Sequence, residues 1–235
     1  MVVDYELSVV VPVFNEEKNI GELLKDWQVA LRAIPVRCRF IIINDGSTDN
    51  SLPILQAIAG QIPAISIHTQ PNAGHGPSIL AGYRQALDTE WIFQMDSDHQ
   101  HNPATFAILW NNREKFDFLL GERKDKNATL SRKGISLFSR LIVRLLYGKR
   151  VKDVNSPYRL MRSSELKKAL KLIPEDSFAP NILLTAWFVY FQTRIFTVEV
   201  SNRSQGIGRQ SKLNGYLLKG SFQSIFQTIL FRFRL

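Results

Sequence analysis

The stretch LSVVVPVFNEE, residues 7–17, determines the fold class that this sequence predicts. It begins with a short, mostly apolar run rich in valine, and Phe14, Asn15 and two glutamates end that run. A short apolar run bounded by turn residues is typical of a strand that is buried on both faces of a sheet. Apolar residues then recur at helical spacing through residues 19–31, and Pro35 closes the segment. The sequence thus opens with a strand followed by a helix.

The same unit of strand and helix recurs along the first half of the chain. Residues 40–43 and 65–68 predict two further strands, residues 50–59 and 78–87 predict the helices that follow them, and residues 91–95 predict a fourth strand. Strands that alternate with helices indicate a parallel α/β sheet with right-handed crossovers. We therefore expect a mostly parallel sheet flanked by helices.

Polar residues follow three of these strands at the point where each strand ends. They occupy residues 14–16, 44–49 and 96–100. In parallel α/β sheets, ligands bind beyond the carboxyl ends of the strands, and those ends lie at one edge of the sheet. The sequence therefore predicts an active site at that edge.

Asp96 and Asp98 form the most informative pair in these segments. Two carboxylates separated by one residue, directly after a buried strand, can bind one hard divalent cation, Mg²⁺ or Mn²⁺, that also binds a substrate diphosphate. Such a cation neutralises charge on a leaving diphosphate. An isolated Asp-X-Asp segment is more often a solvated turn, so its interpretation depends on its neighbours. The loops at residues 12–17 and 44–49 supply carboxylates for ribose or base and amides for phosphate.

Composition limits the classes of function. The chain has 235 residues, of which 45% are hydrophobic and 22% charged, which predicts one globular domain with a sizeable core rather than a disordered protein. The formal net charge of +9 implies an anionic partner, which is nucleic acid, an acidic membrane face or a phosphorylated substrate. The single Cys38 excludes an internal disulfide and indicates a reducing compartment.

We expect a chain on the cytoplasmic side of a membrane, without a transmembrane helix. Residues 1–6 lack the features of a secretory signal. The apolar run at residues 182–191 is about half of the roughly 20 residues that a spanning helix needs. Residues 133–147 and 216–235 mix apolar residues with arginine at helical spacing. Such helices either lie in the interface of an anionic membrane or pack on the core or another subunit.

Four motifs together resemble one enzyme family. They are SVVVPVFNEE at 8–17, INDGSTDNS at 43–51, NAGHGPSILAG at 72–82 and MDSDHQHNP at 95–103. In this order they resemble the inverting glycosyltransferases of family 2 with the Rossmann-like GT-A fold. Within that family the chain is most similar to the dolichol-phosphate mannose synthase and bacterial polyprenyl-phosphate glycosyltransferase group. The segments at 121–123, 153–159 and 203–212 also follow that group's order.

The resemblance implies a division of the chain and a role for particular residues. It implies one GT-A domain, with a nucleotide-sugar half at 1–120, an acceptor half at 121–212 and an amphipathic interface helix at 213–235. The residues implied for the donor are Pro12, Phe14, Glu16, Asp45, Asp96, Arg203 and Lys212, of which Asp45 contacts the base. The residues implied for the metal are Asp96, Asp98 and Gln100. The residues implied for the acceptor phosphate are Arg123, Arg132 and Ser136, and catalysis is assigned to Asp96, Asp98 and Arg123.

The implied reaction is inverting transfer of a sugar from GDP-mannose or a UDP-sugar to dolichyl or undecaprenyl phosphate at the cytoplasmic membrane face. The implied partners are the nucleotide-sugar donor, the polyprenyl phosphate and an anionic membrane surface, and nucleic acid is not among them. A homo-oligomer and a separate membrane-anchoring subunit are further alternatives. Two segments depart from the group's usual residues, at 76–78 and 156–159, and could shift donor or acceptor preference.

Three other functions stay open at this point. A family 2 enzyme acting on a sugar hydroxyl of a glycan or glycolipid would need a carboxylate base, and the sequence shows no clearly spare one. A nucleotidyltransferase should carry a glycine-rich loop after the first strand, where this chain has Phe14, Asn15 and Glu16. A non-catalytic basic protein that binds nucleotides or nucleic acid would explain the positive charge, but the acidic strand ends would repel a phosphate backbone.

Overall fold

The computed structural model describes residues 4–123, 130–148, 151–200 and 215–235. The strands are β1 Leu7–Val13, β2 Cys38–Asn44, β3 Ile65–Thr69, β4 Trp91–Gln94, β5 Phe118–Arg123, β6 Arg159–Arg162 and β7 Ile195–Val200. The helices are α1 Ile20–Arg32, α2 Ser51–Ala59, α3 His75–Gln85, α4 Phe106–Asn112, α5 Leu130–Leu146, α6 Ser163–Leu170, α7 Pro180–Tyr190 and α8 Gly215–Phe231.

The strands form one seven-stranded sheet in the order β3-β2-β1-β4-β6-β5-β7. Strands β1 to β4 pair in parallel, as the alternation of strands and helices predicts. Strand β6 runs antiparallel to both β4 and β5, whereas β7 is parallel to β5. The prediction of a mostly parallel α/β sheet is therefore confirmed.

The first strand shows why the sheet needs helices on both faces. All seven residues of β1 are buried. Val9 and Val11 pack in a cluster with Trp27 of α1, on one face of the sheet. Val10 packs on the other face, in a cluster that includes Leu80 of α3. Because successive side chains of a strand alternate between faces, an uninterrupted apolar strand requires a core on each side.

The boundaries of most predicted elements differ from the structure by one to three residues, and two of these differences lie next to the site. Helix α3 begins at His75, whereas residues 78–87 were expected. The amides of a first helical turn have no partner within the helix, so Pro77, which lacks an N–H, fits there without interrupting it. Strand β4 ends at Gln94, one residue before the expected end at Met95.

Residues 182–190 of the apolar run belong to α7, which packs inside the protein, and Phe191 follows the helix. From Pro180 to Val189 every residue of this helix is buried. A helix that is apolar on all sides is typical of a core that surrounds it. Within the described ranges, no helix is both long and apolar enough to cross a bilayer. The division of the chain at residues 120 and 212 stays a prediction.

Candidate active site

A cleft of about 430 Å³ lies at the carboxyl edge of the sheet, where β1, β2 and β4 end. It is lined by residues from all three polar segments, namely Pro12, Phe14, Glu16, Asp45, Asp96 and Asp98. The start of α3 completes the cleft with His75 and Ser78. Residues that are far apart in the sequence thus meet at the edge that the strand pattern predicts, although their individual roles stay predictions.

Hydrogen bonds join the two loops that follow β1 and β2. The backbone N–H of Asn15 donates to Oγ of Ser47 at 3.1 Å, and the side-chain Oδ1 of Asn15 accepts from the backbone N–H of Thr48 at 2.8 Å. The amide of Glu16 donates to Oγ of Ser51 at 2.7 Å. Asn15 has a φ of 56°, a left-handed conformation that asparagine tolerates better than most residues. These contacts hold Glu16 at the cleft.

The carboxylate of Asp45 orders the loop between β3 and α3. Its Oδ1 accepts from Nε2 of Gln70 at 2.8 Å and from the amide of Ala73 at 2.9 Å, and its Oδ2 accepts from the amide of Gly74 at 2.9 Å. Only 3% of Asp45 is exposed. Its first structural task is therefore to hold the loop that forms the cleft wall, and the predicted contact with the base of the donor stays a prediction.

The carboxylates of Asp96 and Asp98 lie in an environment that disfavours two negative charges. Burial raises the pKa of Asp98 to about 7, and the neighbouring charges of Asp96 and Glu16 act in the same direction. Oδ1 of Asp96 is buried and accepts no hydrogen bond from the described residues, although Nε2 of His75 lies 3.5 Å away. Buried carboxylate oxygens without donors are costly unless a cation binds them. The pair therefore fits Mg²⁺ or Mn²⁺.

The residues that the structure describes supply only part of the ligand set for such a cation. Among the residues that the structure describes, no group of three or more His, Cys, Asp or Glu side chains could hold a metal ion. A cation on this pair would complete its shell with water or with oxygens of a bound diphosphate, as Mg²⁺ commonly does. Gln100 lies in the same turn, where its backbone N–H donates to Oδ1 of Asp98 at 3.2 Å. It is not among the described residues that line the cleft.

A second cavity of about 630 Å³ adjoins the first. Asp96, His75 and Gly74 line both, so Asp96 lies where the two cavities meet. The other charged residues that line it are Arg123, Asp176 and Lys219. Two adjoining cavities that share a carboxylate can accommodate two substrates whose reacting atoms meet at that carboxylate.

Arg123 enters the second cavity from the end of β5. Its Nε donates to Oδ2 of Asp153 at 2.7 Å, and its Nη2 donates to Oδ1 of Asp153 at 3.2 Å and to the carbonyl of Asn155 at 3.4 Å. Arg132 and Ser136, the other residues predicted for the acceptor phosphate, lie in α5, but their side chains are outside the described part of the structure. Arg203 and Lys212 also lie outside the described residues.

Comparison with known proteins identifies the family. Residues 8–169 match the family model described as glycosyl transferase family 2. The chain belongs to glycosyl transferase family 2.

Two relatives of this glycosyltransferase carry names that refer to polyprenyl phosphates. Undecaprenyl-phosphate 4-deoxy-4-formamido-L-arabinose transferase of Pseudomonas fluorescens is 27% identical over 210 residues, which cover 88% of this chain and 61% of the relative. Dodecaprenyl-phosphate galacturonate synthase of Rhizobium johnstonii is 30% identical over 175 residues, which cover 72% of this chain and 51% of the relative. The chain thus spans about half to three fifths of the length of these two proteins.

Solved structures show that this glycosyltransferase has the GT-A fold. Glucosyl-3-phosphoglycerate synthase from Mycobacterium tuberculosis, in complex with Mn²⁺, UDP and glucosyl-3-phosphoglycerate, gives a TM-score of 0.66 at 17% identity, covering 97% of this chain and 80% of that chain. TarS from S. aureus with UDP-GlcNAc gives 0.62 at 21% identity, covering 96% of this chain and 66% of that chain. At such identities the likeness establishes the fold alone.

Sequence patterns did not reveal three structural features of this family 2 site. Arg159 is completely buried, and burial lowers its pKa to about 10. Its guanidinium donates to the carbonyls of Ser156 and Asn181 and so ties the segment before β6 to the start of α7. Asp176 and Lys219 reach the second cavity from a loop and from α8. Of these three residues, the sequence pointed only to Arg159, which belongs to the segment at 153–159. Neither Asp176 nor Lys219 lies in a motif.

Proposed function

We propose that this glycosyltransferase moves a sugar from a nucleoside-diphosphate sugar to a polyprenyl phosphate at a membrane surface, with inversion at the anomeric carbon. The observation that carries the proposal is the position of α8. This helix lines the second cavity through Lys219 and Gln223, and it also presents large apolar side chains to the outside. A phosphate in that cavity and a hydrocarbon chain on that helix would lie side by side.

The two faces of α8 have the reverse of the usual pattern of a soluble helix. The buried positions carry Gly220, Ser224, Thr228 and Phe231. The exposed positions carry Phe222, which is 71% exposed, Phe226, Ile229 and Leu230, and Phe233, two residues after the helix, is 84% exposed. Helix α5, which packs against α8, exposes Leu137, Phe138, Leu141 and Leu145. Exposed apolar residues of this kind mark a surface for lipid or protein, and a membrane interface suits this one because α5 carries Arg140 and Arg144 and α8 is followed by Arg232 and Arg234.

The donor fits the first cleft. Phe14 is 44% exposed at the cleft, which leaves its ring available to pack on a base or ribose. Asp96 and Asp98 would hold Mg²⁺ or Mn²⁺, which would stabilise the charge on the departing diphosphate. The protein's own contribution is to hold the donor so that the anomeric carbon lies beside Asp96, at the junction with the second cavity.

The acceptor phosphate needs positioning rather than activation. Its oxygen is anionic near neutral pH, so it attacks the anomeric carbon directly, and the bond from that carbon to the diphosphate breaks with its electron pair on the nucleoside diphosphate. Arg123 would hold the phosphate oxygens in line with that bond, because a guanidinium fixed by Asp153 offers donors in a defined direction. The names of the relatives from Pseudomonas fluorescens and Rhizobium johnstonii support a phosphate acceptor of this type.

One observation favours a second candidate acceptor. Asp176 supplies a carboxylate at the second cavity, and a sugar hydroxyl needs such a base. Asp176 is thus a candidate for the base that the sequence did not single out. Transfer to a hydroxyl would depend on Asp176, whereas transfer to a phosphate would not.

The deciding experiment is transfer of a labelled sugar into an organic-extractable product. UDP-sugars and GDP-mannose are offered in turn with polyprenyl phosphate, with the matching polyprenol and with free sugars, for the wild type and Asp176→Asn. We expect product with the phosphate only, and unchanged transfer by Asp176→Asn. Equal labelling of polyprenol or free sugar, together with loss of that labelling in Asp176→Asn, would establish the hydroxyl acceptor instead.

A further inference from the structure

Lys219 is exposed on α8, where it borders both the apolar face of the helix and the second cavity. Gly220 and Ser224 lie on the buried face, and Phe222 and Phe226 lie on the exposed apolar face. Lys219 and Gln223, one helical turn apart, both line the second cavity. A lipid that packs along the apolar face would therefore bring its polar head to Lys219, because Lys219 and Gln223 lie where that face meets the second cavity.

Close packing holds this part of α8 against the cavity wall. A Cβ on Gly220 would lie 2.2 to 2.5 Å from ring atoms of Phe178, so only glycine allows the helix to approach this closely. Nε2 of Gln223 donates to the carbonyl of Asp176 at 3.3 Å, and Oγ of Ser177 donates to Oε1 of Gln227 at 3.3 Å. These contacts determine where the backbone of Lys219 lies relative to the loop at residues 176–178.

The charged side chains that line the second cavity show why the guanidinium of Arg123 alone is not sufficient to bind a phosphate there. Among the described residues that line it, the carboxylates are Asp96 and Asp176, and the permanent cations are Arg123 and Lys219. Arg123 is paired with Asp153. Within the described side chains, Lys219 has no ion-pair partner. A phosphate next to two carboxylates needs a cation whose charge is not already compensated.

We propose that Lys219 binds the acceptor phosphate, from the α8 side of the second cavity, while Arg123 binds it from the β5 side. The inference rests on the proposed polyprenyl phosphate acceptor and extends it to a residue outside the four motifs. An ammonium on a flexible side chain acts as a point charge and can follow the phosphate as the lipid enters, whereas the fork of Arg123 sets direction.

The test uses the full chain with a short-chain prenyl phosphate that is soluble without vesicles, so that lipid binding by α8 does not contribute. Steady-state kinetics are compared for the wild type, Lys219→Gln, Lys219→Arg and Arg234→Gln. The last variant is a control, because Arg234 lies just beyond α8 and does not line the cavity. We expect Lys219→Gln to raise the KM for prenyl phosphate about tenfold, with the donor KM unchanged. Lys219→Arg should stay within about threefold of the wild type, and Arg234→Gln should match it.

Two results would overturn the inference, and they are distinguishable from failure of the proposed function. If the wild type uses prenyl phosphate but not prenol, and Lys219→Gln keeps the wild-type KM, the acceptor is right and Lys219 does not bind it. If Lys219→Gln raises the KM of donor and acceptor alike, its effect is general and the assignment is also wrong. If the wild type glycosylates prenol as well as prenyl phosphate, the phosphate acceptor itself is wrong, and the role of Lys219 is lost with it.

Discussion

The guanidinium of Arg123 and the carboxylate of Asp153 form a bidentate salt bridge at the wall of the second cavity, with Nε to Oδ2 at 2.7 Å and Nη2 to Oδ1 at 3.2 Å. Both side chains are largely shielded, with 27% and 14% of their surface exposed. The pair fixes the plane of the guanidinium, because two parallel hydrogen bonds leave it little rotational freedom. A phosphate approaching Arg123 therefore meets donors whose direction is set beforehand.

This pair yields a prediction in which orientation and net charge oppose each other. Asp153→Asn removes a negative charge near the acceptor phosphate, so electrostatics alone would lower the acceptor KM. The loss of orientation should dominate and raise the acceptor KM about fivefold or more. Arg123→Ala should raise the acceptor KM more than tenfold, which is about the effect of losing one charge-assisted hydrogen bond. Acceptor kinetics at fixed, saturating donor distinguish the two effects, and a lower KM in Asp153→Asn would contradict the orienting role.

The carboxylate pair predicts a dependence on divalent cations. Asp98→Asn should reduce transfer by about a hundredfold or more, because the site loses one of its two charged cation ligands. The same variant should melt no lower than the wild type in chelator. Burial raises the pKa of Asp98 to about 7, so the folded state loses stability as the pH rises from the ordinary carboxyl pKa towards 7, and asparagine removes this cost at neutral pH.

Thermal unfolding measures both parts of this prediction. UDP and GDP are added with Mn²⁺, with Mg²⁺ and with chelator, and a ligand that binds only the folded state raises the melting temperature. The wild type should be stabilised by a nucleotide together with a cation, and Asp98→Asn should not. Full transfer activity in excess chelator would exclude a metal-dependent mechanism.

Two glycines in the helices that carry the exposed apolar residues, Gly220 and Gly134, should respond differently to alanine. In α8, Gly220→Ala should destabilise the protein by about 1 to 3 kcal/mol, because the added Cβ overlaps the ring of Phe178. In α5, Gly134→Ala adds a Cβ with no atom within 4 Å, so it should stabilise by about 0.5 to 1 kcal/mol through helix propensity. Urea unfolding of both variants provides the comparison.

Acceptor kinetics extend the comparison to the second cavity. Gly220→Ala should also raise the acceptor KM, because α8 moves away from the loop at residues 176–178, and Gly134→Ala should leave it unchanged. A Gly220→Ala variant as stable as Gly134→Ala would show that Phe178 moves aside easily, and that α8 is not held by this contact.

The exposed face of α8 predicts binding to anionic lipid. Replacing Phe222 and Phe226 by serine should reduce sedimentation with liposomes that contain anionic lipid, because two aromatic side chains no longer leave water on binding. Val29 of α1 offers a matched control, since it is 65% exposed and Phe222 is 71% exposed. Val29→Ser should bind as the wild type does, and high salt should weaken binding of all variants. Equal sedimentation of the double serine variant would exclude α8 as the lipid-binding face.

Short-range patterns were sufficient for the nucleotide half of the fold. Strand β1 has the predicted bounds, because an uninterrupted apolar run can only be satisfied inside a sheet covered on both faces. The residues after β1, β2 and β4 meet in one cleft, because parallel strands bring their carboxyl ends to one edge. The start of α3 was missed, because Pro77 reads as a helix boundary although it lies within the first turn.

The sequence by itself determined the α/β class, the edge that carries the polar residues and the family to which the chain belongs. Only the tertiary structure showed that β6 runs antiparallel, that Arg123 is paired with Asp153, and that Lys219 and Asp176 join Arg123 at one cavity. The physical reason is the sequence distance over which the relevant interactions act. Strand, helix and turn patterns depend on neighbours within a few residues, whereas the second cavity is built by segments around β5 and the starts of α3, α7 and α8, and only tertiary packing brings these segments together.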